Sequence, residues 1–443
     1  MTIAVVALLA GGCSETRRTT NASDAASPAA SSAPAVGSSS ARALAHSNIR
    51  HLVVIVQEDH TFDSYFGRYC TAPPGSNPSC TTGAACCEAA PDQEPSGSRP
   101  IELDDVQNGS YDPDHSQRCE LLEIDHGRMD RFVRGAPCSN KQNFAIIPGS
   151  IAGPYHDLAR RYALADRYFQ PVAGESSSND MYFAVARYVF ADNSYQPNTT
   201  GSECERPRVP TVEYSGVTTI ADLLVRAGYS FAFYAEGFAS MAHAHGCPAP
   251  PADCPPHVPM PPCVYEPSNN PFLYYAQLAH EGTQQRDLGE LSEDLQRGTL
   301  PDVAFVKPLL YRSEHPGHLT TVSTGASFVR SVIEAVLGSP TYSDSTLILV
   351  TWDEGGGYYD HVSPPADSAV DGQAYGTRVP LLAIGRFARA NTVSHVTLEH
   401  SSIVRFIEWN FLGGTGQLGA RDAVVHGLGG LLDPLQVGEP VPD

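Results

Sequence analysis

The sequence predicts an α/β domain of three layers, a mostly parallel central sheet between two layers of helices. Short, continuously apolar runs recur along the chain, helical patterns lie between them, and two of the runs end abruptly in acidic pairs. A strand with one wet face alternates apolar and polar residues. A strand covered on both faces is apolar throughout, as in parallel sheets flanked by helices.

The first run, His51 to Gln57 (HLVVIVQ), leads into Glu58-Asp59. Runs at Tyr229 to Tyr234, Val303 to Val306, Thr346 to Trp352 (TLILVTW) and Val379 to Ile384 follow, the fourth leading into Asp353-Glu354. Helical patterns precede the second run at Ile220 to Ala227 and the fourth at Phe328 to Leu337, and one follows the fifth at His400 to Phe411. Strands interleaved with helices give a layered α/β fold. Two stretches, about 68–148 and about 240–268, are rich in Pro, Gly and Cys and read as insertions at the rim of that fold.

Charge narrows the function. With 28 Lys and Arg against 49 Asp and Glu, the net charge is −21, and no basic run offsets it. Such a chain is not expected to bind nucleic acid or to dock electrostatically on anionic lipid. An anionic substrate would need a local positive centre, such as a bound metal.

The N-terminal apolar run, Ile3 to Ala10, is far shorter than the ~20 residues that span a bilayer. It ends in Gly11-Gly12-Cys13, so residues 1–13 read as a bacterial lipoprotein signal with Cys13 as the lipid acceptor, although no Lys or Arg precedes the run. A cleaved secretory signal is the alternative. Residues 14–47, dominated by Ser, Ala and Thr, read as a disordered tether, and 48–443 as the catalytic domain. Membrane association is then expected through the lipid, at the cell surface or in the periplasm. Ten further cysteines fall between positions 70 and 263, enough for five disulfides in the long loops of an exported protein. Zinc binding is the competing reading, but no C-x2-C pair occurs.

In open α/β sheets ligands bind beyond the carboxyl ends of the strands. Glu58-Asp59 and Asp353-Glu354 are therefore expected to converge, and four carboxylates together call for a cation among them.

Several strings, in order from about residue 49 to 412, resemble the bacterial phosphoesterases that include non-zinc phospholipases C and a related acid phosphatase, in the alkaline phosphatase superfamily. They are V-I-V-Q-E-D-H-T-F-D-S-Y-F-G (54–67), H-G-R-M-D-R-F (126–132), A-D-R-Y-F-Q-P-V-A-G-E-S-S-S-N-D-M-Y (165–182), E-H-P (314–316), T-W-D-E-G-G-G-Y-Y-D-H-V-S-P-P (351–365) and H-V-T-L-E-H-S-S-I-V-R-F-I-E (395–408). The resemblance implies an alkaline-phosphatase-like fold and a divalent metal cation held by Glu58, Asp59, Ser176, Asp353 and Glu354. It implies Ser176 as nucleophile, His315 and His361 as further catalytic groups, and His126, Asn179 and Asp360 as substrate contacts.

The chemistry needs these types. A cation activates a serine hydroxyl and offsets charge on phosphoryl oxygens, and a histidine can protonate a departing alkoxide. Asp59 stands where the family has Asn, and Gly355 where it has His. Ser176 begins a Ser-Ser-Ser run, so Ser177 is the competing position. Gly355-Gly356-Gly357 resembles a phosphate loop but lacks G-K-[ST]. The expected reaction is phosphodiester hydrolysis of the phospholipase C type through a phosphoserine. A phosphomonoesterase on the same scaffold and a non-catalytic surface lipoprotein are the alternatives. The sulfatase string C-x-P-x-R is missing.

Overall fold

Apolar pattern and observed strands agree closely at the centre of the sheet. The predicted His51–Gln57 and Thr346–Trp352 are strands with those bounds, and the runs near 303 and 229 appear as Val303–Lys307 and Phe231–Ala235. The computed structural model describes residues 45–190, 197–201, 208–243, 247, 249–256, 263–279 and 282–443. The signal at 1–13 with Cys13, most of the 14–47 tether, and Cys204 lie outside the described residues.

Eight strands form one sheet. Their order is Thr392–Ser394, Ala163–Ala165, Leu381–Ile384, Thr346–Trp352, His51–Gln57, Val303–Lys307, Phe231–Ala235, Gln285–Asp287. All pairings are parallel except the two made by Leu381–Ile384, which runs against both neighbours. Every residue of Thr346–Trp352 and six of the seven in His51–Gln57 are buried. Successive side chains point to opposite faces, so both faces of the sheet are covered. Helices Gly149–Arg161 and Val322–Leu337 pack together as one group, and Ser176–Val185, Ile220–Arg226 and His400–Leu412 as another. The α/β sandwich with a mostly parallel sheet is thus the architecture observed.

Local chemistry sets the helix starts. Thr219 and Asp222 form a reciprocal capping box on Ile220–Arg226, and the Thr321 hydroxyl accepts from Thr324 N at the start of Val322–Leu337. Each fully buried Leu, Ile or Val of the central strands contributes roughly 1.5–3 kcal/mol.

The 68–148 insertion carries the helices Asp105–Ser110 and Gln117–Ile124 and three disulfides, Cys70–Cys87, Cys80–Cys86 and Cys119–Cys138. Cys254–Cys263 closes part of the second insertion, and Cys247 is also disulfide-bonded. Among the described residues, no helix is long and apolar enough to cross a membrane.

Candidate active site

Strand register brings the two acidic pairs together. Gln57 lies opposite Trp352, so Glu58-Asp59 and Asp353-Glu354 leave the sheet side by side, with Asp353 N donating to Gln57 O at 3.1 Å. All four side chains are buried. On the other side of the central strand, Val306 pairs with Ile55, which places Lys307 just below Glu58. Its ammonium lies 2.9 Å from Glu58 Oε1, 3.0 Å from Asp353 Oδ2 and 3.9 Å from Asp180 Oδ2.

A protein cation therefore stands between two of the predicted metal ligands, and these two are otherwise well partnered. Glu58 also accepts from Asn269 Nδ2 and from Ser313 Oγ at 2.9 Å, and Asp353 Oδ1 from Glu354 N at 2.9 Å. Burial works against the charged form of Lys307, but Asp180, Asp353 and Glu58 outweigh it and push its pKa up.

Ser176 opens the buried helix Ser176–Val185, and its hydroxyl donates to Glu354 Oε1 at 3.3 Å. Ser177 points elsewhere, donating to Ser268 O at 2.8 Å and accepting from Tyr274. Ser176 is thus directed at the acidic pairs, and the Ser177 bonds lead away from them. Asn179 does not reach past it. Its amide accepts from Val172 N at 3.1 Å and donates to Gly174 O at 2.7 Å, bracing the loop from which Ser176 emerges.

Asp59 is the least satisfied of the acids. It is fully buried at a positive φ of 63°, and neither carboxylate oxygen accepts a hydrogen bond from any described residue. Strained backbone of this kind persists where the surroundings impose it. Here Gly356 follows the contour closely, and a Cβ on it would overlap the Asp59 carbonyl. His315 Nε2 stands 2.9 Å from Asp59 Oδ2, and His115 Nε2 4.0 Å from the same oxygen. Burial disfavours a charged His115, but Asp112, Asp59 and Glu175 reverse that and push its pKa up to about 10. Burial likewise lifts Asp353 and Glu354 well above the carboxylate range, helped by Asp59 and the other acids nearby. Asp180 rises to about 7, for burial first, while Lys307 opposes the rise.

The donor set can take a cation: neither Asp59 oxygen accepts a hydrogen bond from a described residue, and Glu354 accepts only long bonds, from Ser176 Oγ at 3.3 Å and Gly356 N at 3.2 Å, while Glu58 and Asp353 are engaged by Lys307 and local donors.

Other predicted site residues lie apart from this set. Asp360 accepts from Arg378 Nε at 2.8 Å, and His361 Nδ1 lies 2.8 Å from Asp63 and its Nε2 3.3 Å from Glu88. His126 is exposed, on the rim of a separate cavity of about 580 Å³ bounded by Gln117, Gly127, Ser363 and Tyr375. The family histidine has no room at Gly355, where a Cβ would overlap Thr377 Oγ1 and stand 3.0 Å from Gln170 Oε1.

Sequence reasoning missed Lys307, Asp180, His115 and Arg378. The available signals were a lysine ending an otherwise apolar run and, for Asp180, its place in the string at 165–182.

The phosphoesterase family model matches residues 49–412. The chain belongs to the phosphoesterase family. Curated relatives include a non-hemolytic phospholipase C of Burkholderia pseudomallei, 23% identical over 82% of this chain and 55% of that protein. Phospholipase C B of Mycobacterium tuberculosis is 24% identical over 82% of this chain and 73% of its own length. This phosphoesterase thus spans about half the length of the Burkholderia relative. Among solved structures, a Vibrio parahaemolyticus protein of the alkaline phosphatase superfamily matches at 10% identity and a TM-score of 0.36, over 81% of this chain and 65% of that one.

Proposed function

We propose that this phosphoesterase hydrolyses a phosphodiester of the phospholipid type through a phosphoserine on Ser176. The observation that carries the reading is the buried Ser176 hydroxyl, at the start of a ten-residue helix and 3.3 Å from Glu354 Oε1. Names of relatives at 23–24% identity support the substrate class.

In this mechanism Glu354 Oε1 takes the hydroxyl proton as Ser176 Oγ bonds to phosphorus, and the P–O bond to the alcohol breaks as His315 protonates the departing alkoxide. Water then cleaves the phosphoserine. The helix amino terminus places positive potential beside an anionic phosphoryl group. Asp59, Glu354 and Ser176 would hold a divalent cation, with Glu58 and Asp353 engaged by Lys307. When bound, such an ion offsets charge on the phosphoryl oxygens and favours ionised serine. The described disulfides support export to an oxidising compartment. A lipid anchor on Cys13 belongs to the same proposal.

Parallel assays on phosphatidylcholine, p-nitrophenyl phosphorylcholine and p-nitrophenyl phosphate test the reading. Turnover of the two diesters is expected, lost by at least about 10³-fold in Ser176→Ala and abolished by EDTA. Turnover of the monoester alone would replace the diesterase with a phosphomonoesterase. Unchanged turnover in Ser176→Ala would remove the nucleophile.

A further inference from the structure

We infer that Gln170, held against Glu120, is a positioning residue that sets the spacing between Ser176 and Glu354. The inference rests on the proposed hydrolase, in which those two side chains exchange a proton.

Ser176 and Glu354 meet at 3.3 Å but come from segments 178 residues apart in sequence. Gln170 touches both segments. Its side chain is fully buried, and its Oε1 accepts from Gly355 N, directly after Glu354, at 2.7 Å and from Thr377 Oγ1 at 3.2 Å. Its Nε2 donates to Val172 O at 3.1 Å and to Glu120 Oε2 at 2.9 Å. The same Glu120 oxygen accepts from Gly174 N at 2.8 Å, two residues before Ser176. One amide thus joins the backbone beyond Glu354 to the loop ahead of Ser176, and Glu120 carries the link on to Gly174. Asn179 fastens that loop to the helix it precedes, and Gln170 fastens it to the Glu354 segment.

The partners fix the orientation of the amide. Gly355 N only donates and Val172 O only accepts, so the Gln170 oxygen and nitrogen cannot exchange places. Two donor hydrogens and two acceptor sites are all that the group has, and all four are in use. A buried polar network satisfied to this degree is rigid. The backbone also closes on it. A Cβ on Gly376 would overlap Gln170 Cδ, and one on Gly355 would stand 3.0 Å from its Oε1. The missing side chains let both loops approach the amide closely. Glu120 makes its two bonds through one oxygen, and the other accepts nothing from a described residue. An amide at position 120 therefore keeps both bonds, so what the link needs from Glu120 is an acceptor and not a charge.

The test measures kcat and KM of the full chain on p-nitrophenyl phosphorylcholine, with unfolding midpoints and backbone amide exchange alongside. Gln170→Met fills the same space without polar atoms. Its kcat should fall about 10²-fold with KM within about 3-fold of the parent's, as for a misplacement near 1 Å. The Gly355 amide should exchange faster in this variant. Glu120→Leu should lower kcat about 10-fold, and Glu120→Gln should recover most of that loss. Asn410→Leu is the comparison, because it removes two buried hydrogen bonds, with Ser47 and Ile49, beyond the opposite end of the first strand. It should lower the midpoint and leave kcat as it is. A kcat within about 3-fold of the parent's in folded Gln170→Met would overturn the positioning role. So would an equal kcat loss in Asn410→Leu, since activity would then follow stability alone. Should Gln170→Met fail to fold, the Glu120 pair decides, and equal kcat in Glu120→Leu and Glu120→Gln would overturn the role. Full turnover in Ser176→Ala would remove the hydrolase mechanism and this role with it. An inactive Ser176→Ala beside an unimpaired Gln170→Met removes the role alone.

Discussion

Two buried ion clusters follow the central strands, and they differ in how they are closed. In the cluster of Asp63, Asp360 and His361, the Arg378 guanidinium supplies Nη2 to Asp63 at 3.1 Å, Nε to Asp360 at 2.8 Å and Nη1 to Asp166 O at 2.9 Å. The same group stacks 4.5 Å over the Phe62 ring, and His361 adds Asp63 and Glu88. The other cluster has Lys307 on one side only. Beyond it, Asp59 keeps unsatisfied oxygens and Ser176 faces Glu354. Both contain carboxylates and histidine from similar sequence strings. The saturated one fastens two loops, and the unsaturated one has capacity left for a ligand.

The contrast can be broken at its cations. Lys307→Met leaves Glu58, Asp353 and Asp180 buried without their common partner, and should cost stability at or above the top of the roughly 3–5 kcal/mol range for a broken buried pair. Guanidinium unfolding measures the loss, and added divalent cation should restore part of it. A variant as stable as the parent would mean that Lys307 does not hold these acids.

Arg378→Leu should cost somewhat less, about 3 kcal/mol, because His361 still partners Asp63. The loss should appear in the unfolding midpoint. A stable Arg378→Leu protein with impaired turnover would return Asp360 and His361 to the active site.

A smaller effect sharpens the packing around Asp353. The His400 ring donates from Nε2 to Asp353 O at 2.6 Å, accepts from Tyr168 at Nδ1 and stacks on Phe183. Burial lowers its pKa from 6.5 to about 3, against the pull of the Asp353 carbonyl. The folded ring stays neutral while the unfolded one protonates, so its contribution is present above pH 6.5 and is lost as pH falls from 6.5 toward 3. Between pH 6.5 and 5 that amounts to about 2 kcal/mol, read as the difference in acid sensitivity between the parent and His400→Gln. Equal acid limbs would show that His400 is charged when folded.

Much of this was legible before folding. HLVVIVQ and TLILVTW announce fully covered strands because every position is apolar, and the acids after them mark the edge where apolar burial stops. Three-residue strands such as Ala163–Ala165 and Thr392–Ser394 carry too short a pattern to be read, although they extend the sheet. Leu381–Ile384 reads as one more apolar run, because its antiparallel direction is set by its neighbours and not by its composition.

The sequence by itself determined the α/β class, the central strands, the two acidic pairs and, through ordered motifs, Ser176. Tertiary structure decided which charges meet. Lys307 reaches Glu58 across the register Ile55 to Val306, between strands 251 residues apart in sequence, and Arg378 closes a cluster with Asp63 from 315 residues away. His115 comes from an insertion whose path no periodicity describes. Local pattern records whether a residue is buried. The partner that makes burial of its charge tolerable is chosen by strand register and loop path, and these exist only once the chain has folded.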